Sequence, residues 1–169
     1  MNKRSVANLI RRVPWAGYLA QAGYRVLQPH VTVGAVGAVF DSEGRLLLVE
    51  HVFHPRFPWG LPGGWMARHE APADTVRREV FEETRLRVEI VKPLAVVPTQ
   101  MLRNHLDVAF LCELAPGTNG ADVKLSGELL DYRWVDPLHL PPLGEFHTRV
   151  VQAALAERSS SSAAQKILT

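Results

Sequence analysis

Apolar runs separated by short polar stretches set the rhythm of this chain and predict most of its elements. Val31 to Phe40 is rich in Val and Gly and predicts a strand, Asp41-Ser42-Glu43-Gly44 a turn, and Arg45 to Val49 a second strand, together a hairpin. Residues 51–65 are dense in Pro, Gly and aromatic residues and follow no period, which predicts a loop. From Pro72 to Thr84 the pattern becomes helical: proline is tolerated in a first turn, and Val76 and Val80 stand four apart on one side. Val88 to Val97 and Leu106 to Leu114 predict two more strands, joined by a polar segment containing Thr99, Gln100, Arg103 and Asn104. Pro116 to Gly120 predicts a loop and Leu130 to Val135 a short strand. A last helix is expected from about Glu145 to Glu157, with Val150, Val151, Ala154 and Leu155 as its inner face. Ser159 to Ser162 open a tail expected to be disordered. Upstream, residues 4–28 alternate apolar and basic positions at roughly helical spacing, interrupted at Pro14 and ending at Pro29, with Trp15, Tyr18 and Tyr24 as candidate packing anchors.

Strands precede and follow the helix over 72–84 without strict alternation, and no repeat is visible. That order predicts an α/β fold with a mixed sheet flanked by helices. The expected organisation is a basic N-terminal helical extension over 1–30, one domain over 31–157 and a disordered tail over 158–169.

Length and composition narrow the class. A chain of 169 residues has room for one sizeable core, and 47% hydrophobic with 21% charged residues is a globular balance. The longest nearly unbroken apolar stretch, Val31 to Phe40, is about half of what a bilayer-spanning helix needs, so no membrane span is expected. The single cysteine, Cys112, has no partner for an intrachain disulfide and sits in the apolar run Val108 to Leu114, as a buried core residue would. No Asn-x-Ser/Thr acceptor occurs, and Arg11 and Arg12 break the apolar stretch that a signal peptide would need, so the cytoplasm is the expected compartment. The net charge of +2 is uneven, because the first 40 residues hold five basic and no acidic side chains. Such an arm can touch phosphates, RNA or anionic lipid, but five charges spread over forty residues read first as a solvated helix face. Nucleic acid is therefore not the expected partner. Gly34-Ala35-Val36-Gly37 does not complete a dinucleotide-binding fingerprint and marks close strand packing instead.

The chemistry lies between Gly60-Leu61-Pro62-Gly63-Gly64 and Leu86. Glu79, Glu82 and Glu83 stand at i, i+3 and i+4, which puts three carboxylates on one helix face, where they repel one another unless a cation sits among them. Oxygen ligands of this kind suit Mg²⁺, with Mn²⁺ as the alternative, and no His or Cys stands at zinc spacing. A Glu-rich helix taken alone is more often a solvated face. Here a Gly-rich loop precedes it, as close backbone approach requires, and Arg78 is placed to hold a carboxylate in orientation.

The segment resembles the signature of the Nudix hydrolases. Gly64 is followed after five residues by Glu70 and after seven more by Arg78-Glu79; Val80 fills the aliphatic place, Glu82-Glu83 follow, and Leu86 closes the box. Eight of nine defined positions agree, and the ninth holds Arg85 where the family has Gly just past the helix end. Trp59 and Leu61-Pro62-Gly63 resemble the family's lead-in, and Glu128 to Leu140, with Tyr132-Arg133-Trp134-Val135, resembles its late strand and following short helix. The resemblance implies an α/β/α sandwich around a mixed sheet and hydrolysis of a pyrophosphate bond in a nucleoside diphosphate linked to another moiety. It implies Glu79, Glu82, Glu83 and the Gly64 backbone as metal ligands, Arg78 as their orienting group, and Glu70 as a group behind the ligands or reaching the metal through water. The general base in relatives is a box glutamate or a later carboxylate. Glu82 or Glu83 can serve, with Glu128, Asp131, His69 and His105 as outside candidates that are surface or turn residues by default.

Substrate choice falls outside the box. Phe57, Trp59 and Trp65 are candidates to stack on a base, and Arg56 and Arg103 to pair with phosphate, although each aromatic is by default a packing residue. Two alternatives share the fold. A nucleotide-sensing module would usually lack the box carboxylates that are intact here, and an isopentenyl diphosphate-type isomerase would need a catalytic cysteine. Many relatives are dimers, which makes the apolar N-terminal segment a candidate homodimer interface.

Overall fold

The computed structural model describes residues 14–99 and 102–167. Lys3, Arg4, Arg11 and Arg12 of the basic arm, and Gln100 of the polar segment, lie outside them. The chain divides between Val31 and Thr32 into two compact units. In the first, helix α1 spans Pro14–Leu27 and starts at the proline that was expected to interrupt it; a proline lacks the N–H that a helix start leaves unpaired anyway. Trp15, Tyr18 and Tyr24, the expected anchors, are largely exposed.

The second unit is built on seven strands: β1 Thr32–Phe40, β2 Leu46–His51, β3 Trp59–Gly60, β4 Gly63–Trp65, β5 Val88–Pro98, β6 His105–Leu114 and β7 Leu129–Val135. Helix α2 spans Pro72–Thr84 and α3 spans Glu145–Ile167. The sheet runs β3-β2-β1-β6-β5, with β4 added to β1 and β7 to β2. It is mixed: β1 and β6 pair in parallel from Thr32↔His105 to Phe40↔Glu113, and the other pairs are antiparallel.

Both faces of the central strands are apolar, and period two divides them between two cores. Ala35, Val39, Leu47, Val108, Phe110 and Cys112 face α2, where Val76 and Val80 are fully buried. Ala38, Phe40, Leu46, Leu48, Ala109 and Leu111 face the other way, against Val150, Val151 and Ala154 of α3. Burying side chains of this size stabilises by about 1.5–3 kcal/mol each, which is what clamps the helices to the sheet. The result is the α/β/α sandwich. No helix among the described residues is long and apolar enough to cross a membrane.

Three expectations are corrected. The segment 51–65, read as a loop, contains β3 and β4; each is too short to show a period and exists because β2 and β1 offer it an edge. The tail from residue 158, read as disordered, continues α3 to Ile167, and Ser159 and Ser160 donate their hydroxyls back to the carbonyls of Ala156 and Glu157 instead of breaking the helix. The short helix implied after the late strand is a turn, closed by the Leu138 N–H on the Asp136 carboxylate.

Candidate functional site

The loop between β3 and β4 and the inner face of α2 bring the box residues together. The Gly63 N–H donates to Glu83 Oε2 at 3.1 Å, while Gly37 N–H donates to the Pro62 carbonyl at 2.9 Å and seats the same loop on β1. Two glycines are required here. A side chain at Gly63 would collide with the Ala35 carbonyl oxygen, and a Cβ at Gly64 would lie 2.5 Å from the Glu79 carboxylate. The Gly-rich loop thus brings its backbone against the box carboxylates.

Arg78 ties the carboxylates. Its Nε and Nη2 donate to the two oxygens of Glu70 at 2.8 and 2.9 Å, its Nη1 donates to Glu79 at 2.7 Å and to Glu82 at 3.2 Å, and Nη2 also reaches the Trp65 carbonyl at 3.0 Å. Glu70 accepts further bonds from the Thr75 hydroxyl and the Ala67 N–H, both at 2.9 Å. Three of these bonds fall on Oε2 and one on Oε1, so Glu70 anchors the arginine. The Arg78 guanidinium, with help from the Ala67 amide, pulls the Glu70 carboxyl down to about 2, and Glu70 in turn pushes the guanidinium further up.

Glu83 is in the opposite condition. Its carboxyl is buried, and burial pushes it up to about 8 against the opposing Gly63 N–H, with the charges of Glu79, Glu128 and Glu82 adding to the rise. Glu82 is the exposed member of the three. Among the described residues no three His, Cys, Asp or Glu side chains already converge as a ready metal cage. The donor set is nevertheless all oxygen, and a cation beside Glu79 and Glu83 would relieve both the burial and the mutual repulsion. In chemistry the residues fit a hard divalent ion that keeps waters.

Beside them opens a cleft of about 470 Å³. Glu79, Glu83, Gly63 and Gly64 form one wall, Trp65, His105 and Asp107 another, and His51, Phe53, His54, Glu128 and His147 the rest. A larger groove of about 1000 Å³ lies elsewhere, but its charges are paired among themselves, Arg45 with Asp41 and Arg158 with Glu113, and none of the box glutamates reaches it.

Of the five substrate candidates, only Trp65 lines the cleft. It is 57% exposed, and its ring is backed by His105 at 4.7 Å between centroids. Trp59 is buried in the core under the Arg133 guanidinium, and Arg56 stacks on Phe57 away from the cleft, from which Arg103 is also absent. Of the outside candidates for the base, Glu128 and His105 line the cleft, and His69 and Asp131 do not. His105 is buried, with Nδ1 on the Thr32 hydroxyl at 2.8 Å and Nε2 on Asp107 at 3.1 Å. Arg85, in the place of the box glycine, adopts the left-handed conformation at φ 63°, and its N–H caps the Phe81 carbonyl at 2.8 Å. Cys112 is fully buried, and burial pushes its thiol up to about 12, so it is no catalytic cysteine.

The sequence reading missed His51, Phe53, His54, Asp107 and His147. Asp107 had a signal, since it is the one charge inside the apolar run from Leu106 to Cys112. The histidines come from two segments far apart in the chain, 51–54 and 147, and carried none.

The model of the NUDIX domain matches residues 28–154. A MutT-like protein of Streptomyces ambofaciens is 32% identical over 120 residues, which cover 71% of this chain and 73% of that protein. The human nucleoside diphosphate-linked moiety X motif 6 is 40% identical over 90 residues, half of this chain but only 28% of that protein. Among solved structures, an ADP-ribose pyrophosphatase from Streptococcus suis superposes with a TM-score of 0.62 at 25% identity, covering 76% of this chain and 93% of that one.

Proposed function

The chain belongs to the NUDIX family of pyrophosphate hydrolases, and we propose that it cleaves a nucleoside diphosphate linked to another moiety, using Mg²⁺ or Mn²⁺ held by Glu79, Glu82, Glu83 and the Gly64 backbone. The catalytic unit in this reading is the domain that begins at β1. The observation that carries it is geometric: the Glu79 and Glu83 carboxylates stand together at the wall of a cleft, Glu83 buried on the Gly63 N–H and Glu79 against the backbone of Gly64. A divalent cation bound there supplies charge neutralisation at the phosphate oxygens and a more acidic water. Arg78 holds Glu79 and Glu82 in orientation from its anchor on Glu70. Glu128 projects from outside the box into the same cleft and is the general base in this reading, placed to take a proton from the attacking water. Trp65 offers an exposed aromatic face for a nucleoside base, and Asp107 beside it an acceptor for a hydroxyl or amino group. The names of the relatives put ADP-ribose among the first compounds to try.

The test is a chromatographic product screen with Mg²⁺ or Mn²⁺ over nucleoside triphosphates, nucleotide sugars, ADP-ribose, NADH, dinucleoside polyphosphates and 5′-triphosphorylated RNA, in which cleavage of ADP-ribose or NADH appears as two phosphomonoesters and not as free phosphate. A cation-dependent activity is expected, lowered at least about a hundredfold in Glu82→Gln with the fold intact. Near wild-type turnover in that variant would remove Glu82 from the site. Glu128→Gln should lower kcat with little change in KM and abolish the acid limb of the pH–rate profile; an unchanged profile would return the base to the box glutamates.

A further inference from the structure

The chain from Gly60 to Gly64 passes from β3 to β4 through the interior, and its backbone groups are satisfied from three different elements. Leu61 is buried, and its N–H donates to Nδ1 of His147, in the first turn of α3, at 3.0 Å. Pro62 has no N–H, and its carbonyl accepts from Gly37 on β1; the Gly63 N–H goes to Glu83 on α2. The imidazole also packs against the backbone itself, since a Cβ added at Gly60 would lie 3.2 Å from His147 Cε1 and 3.4 Å from His51 Nε2. A backbone amide can only donate, so Nδ1 of His147 must offer a lone pair and the ring proton must sit on Nε2. Removing the ring would orphan a buried N–H two residues before the amide that holds Glu83.

We infer that His147 is a positioning residue: from the opposite layer of the sandwich its Nδ1 holds the Leu61–Gly64 path on which Glu83 and Glu79 are seated. The inference rests on the reading of those glutamates as metal ligands. Burial, with His51 and His54 nearby, lowers His147 to about 4, which keeps the ring in the neutral form that the contact requires.

The test uses the full chain and compares wild type with His147→Leu, His147→Asn and His147→Gln. Asparagine carries an acceptor oxygen on Cγ, where the imidazole has Nδ1, whereas glutamine places its polar atoms one bond further out, near Nε2. Two readouts are taken well below each variant's Tm: the Mn²⁺ dissociation constant by paramagnetic resonance, and kcat and KM on the substrate the wild type cleaves. His147→Leu should weaken Mn²⁺ binding and lower kcat by about tenfold each, with KM within about twofold, as loss of one buried hydrogen bond implies. His147→Asn should recover to within about threefold of wild type, and His147→Gln should not. A folded His147→Leu with wild-type Mn²⁺ affinity and kcat overturns the inference. So does recovery by glutamine and not asparagine, which would assign Nε2 to a substrate contact. If the leucine variant fails to fold, the Asn and Gln pair alone decides. Wild-type protein that binds no Mn²⁺ would defeat the reading of the glutamates and this inference with it, while tight wild-type binding that is indifferent to residue 147 defeats this inference only.

Discussion

Arg78 shows how a box written as a string of letters becomes a physical device. One guanidinium is shared among Glu70, Glu79, Glu82 and the Trp65 carbonyl. A lysine keeps the charge and loses the fork, so Arg78→Lys should lower divalent-ion affinity or kcat by about 10- to 100-fold while changing Tm little; metal titration and steady-state kinetics check it. Arg85 is a second residue whose role follows from backbone geometry. A non-glycine residue in the left-handed region costs about 1–2 kcal/mol, part of which glycine's extra freedom in the unfolded chain offsets, and Arg87 also stands over the Phe81 ring that Arg85 covers. Arg85→Gly should therefore raise the thermal midpoint by about 2 °C, read by scanning calorimetry, with kcat unchanged. The glutamates and Arg78 were legible in the sequence because local spacing on a single helix fixes where they point. Trp59 took its default role as a packing residue and not the candidate one of stacking on a base, and Arg133, far along the chain, covers its ring.

Among the elements, α2, β1 and β6 were readable almost to the residue, since long apolar periods leave little choice about which side is buried. The pair β3 and β4 was not, because strands of two and three residues take their identity from the edges they join. Gly34-Ala35-Val36-Gly37 was expected to mark close strand packing, and at Gly37 the nearest neighbour is on the helix: a Cβ there would lie 2.8 Å from Val76 Cγ1 and 3.2 Å from Cys112 Sγ. Gly37→Ala should destabilise by about 1–3 kcal/mol, because the helix must lift from the strand or Val76 must leave its rotamer; denaturant unfolding measures it. The continuation of α3 through four serines shows the limit of composition as a guide, since each hydroxyl described there is absorbed by a carbonyl of the preceding turn.

At the scale of the whole domain, buried histidines give stability an acid edge. His51 and His147 are both held at about 4, mainly by burial, with His54 adding at His51 and both His51 and His54 adding at His147, whereas in the unfolded chain they titrate near the ordinary 6.5. The folded form therefore binds fewer protons than the unfolded one between these values. Stability from this source is complete above about pH 6.5 and is lost as pH falls toward 4. The Tm should drop across that window, and His147→Asn should flatten the drop; an equal drop in the variant would move the cause elsewhere. None of this was readable beforehand, because the three rings come from segments almost a hundred residues apart. The sheet itself has a further consequence. β1 and β2 pair through Phe40↔Leu46 at the hairpin, while β4 takes the edge of β1 at Gly34–Val36 and β3 the edge of β2 at Val49–Glu50, so the two strands part like the arms of a fork around the box loop. Residues 52–58 hang from one arm, with Phe53 and His54 lining the cleft, and carry none of the proposed metal ligands. Selection can thus rewrite what is recognised there without touching what cuts, and a randomised library confined to 52–57 would separate the inheritance of specificity from that of catalysis.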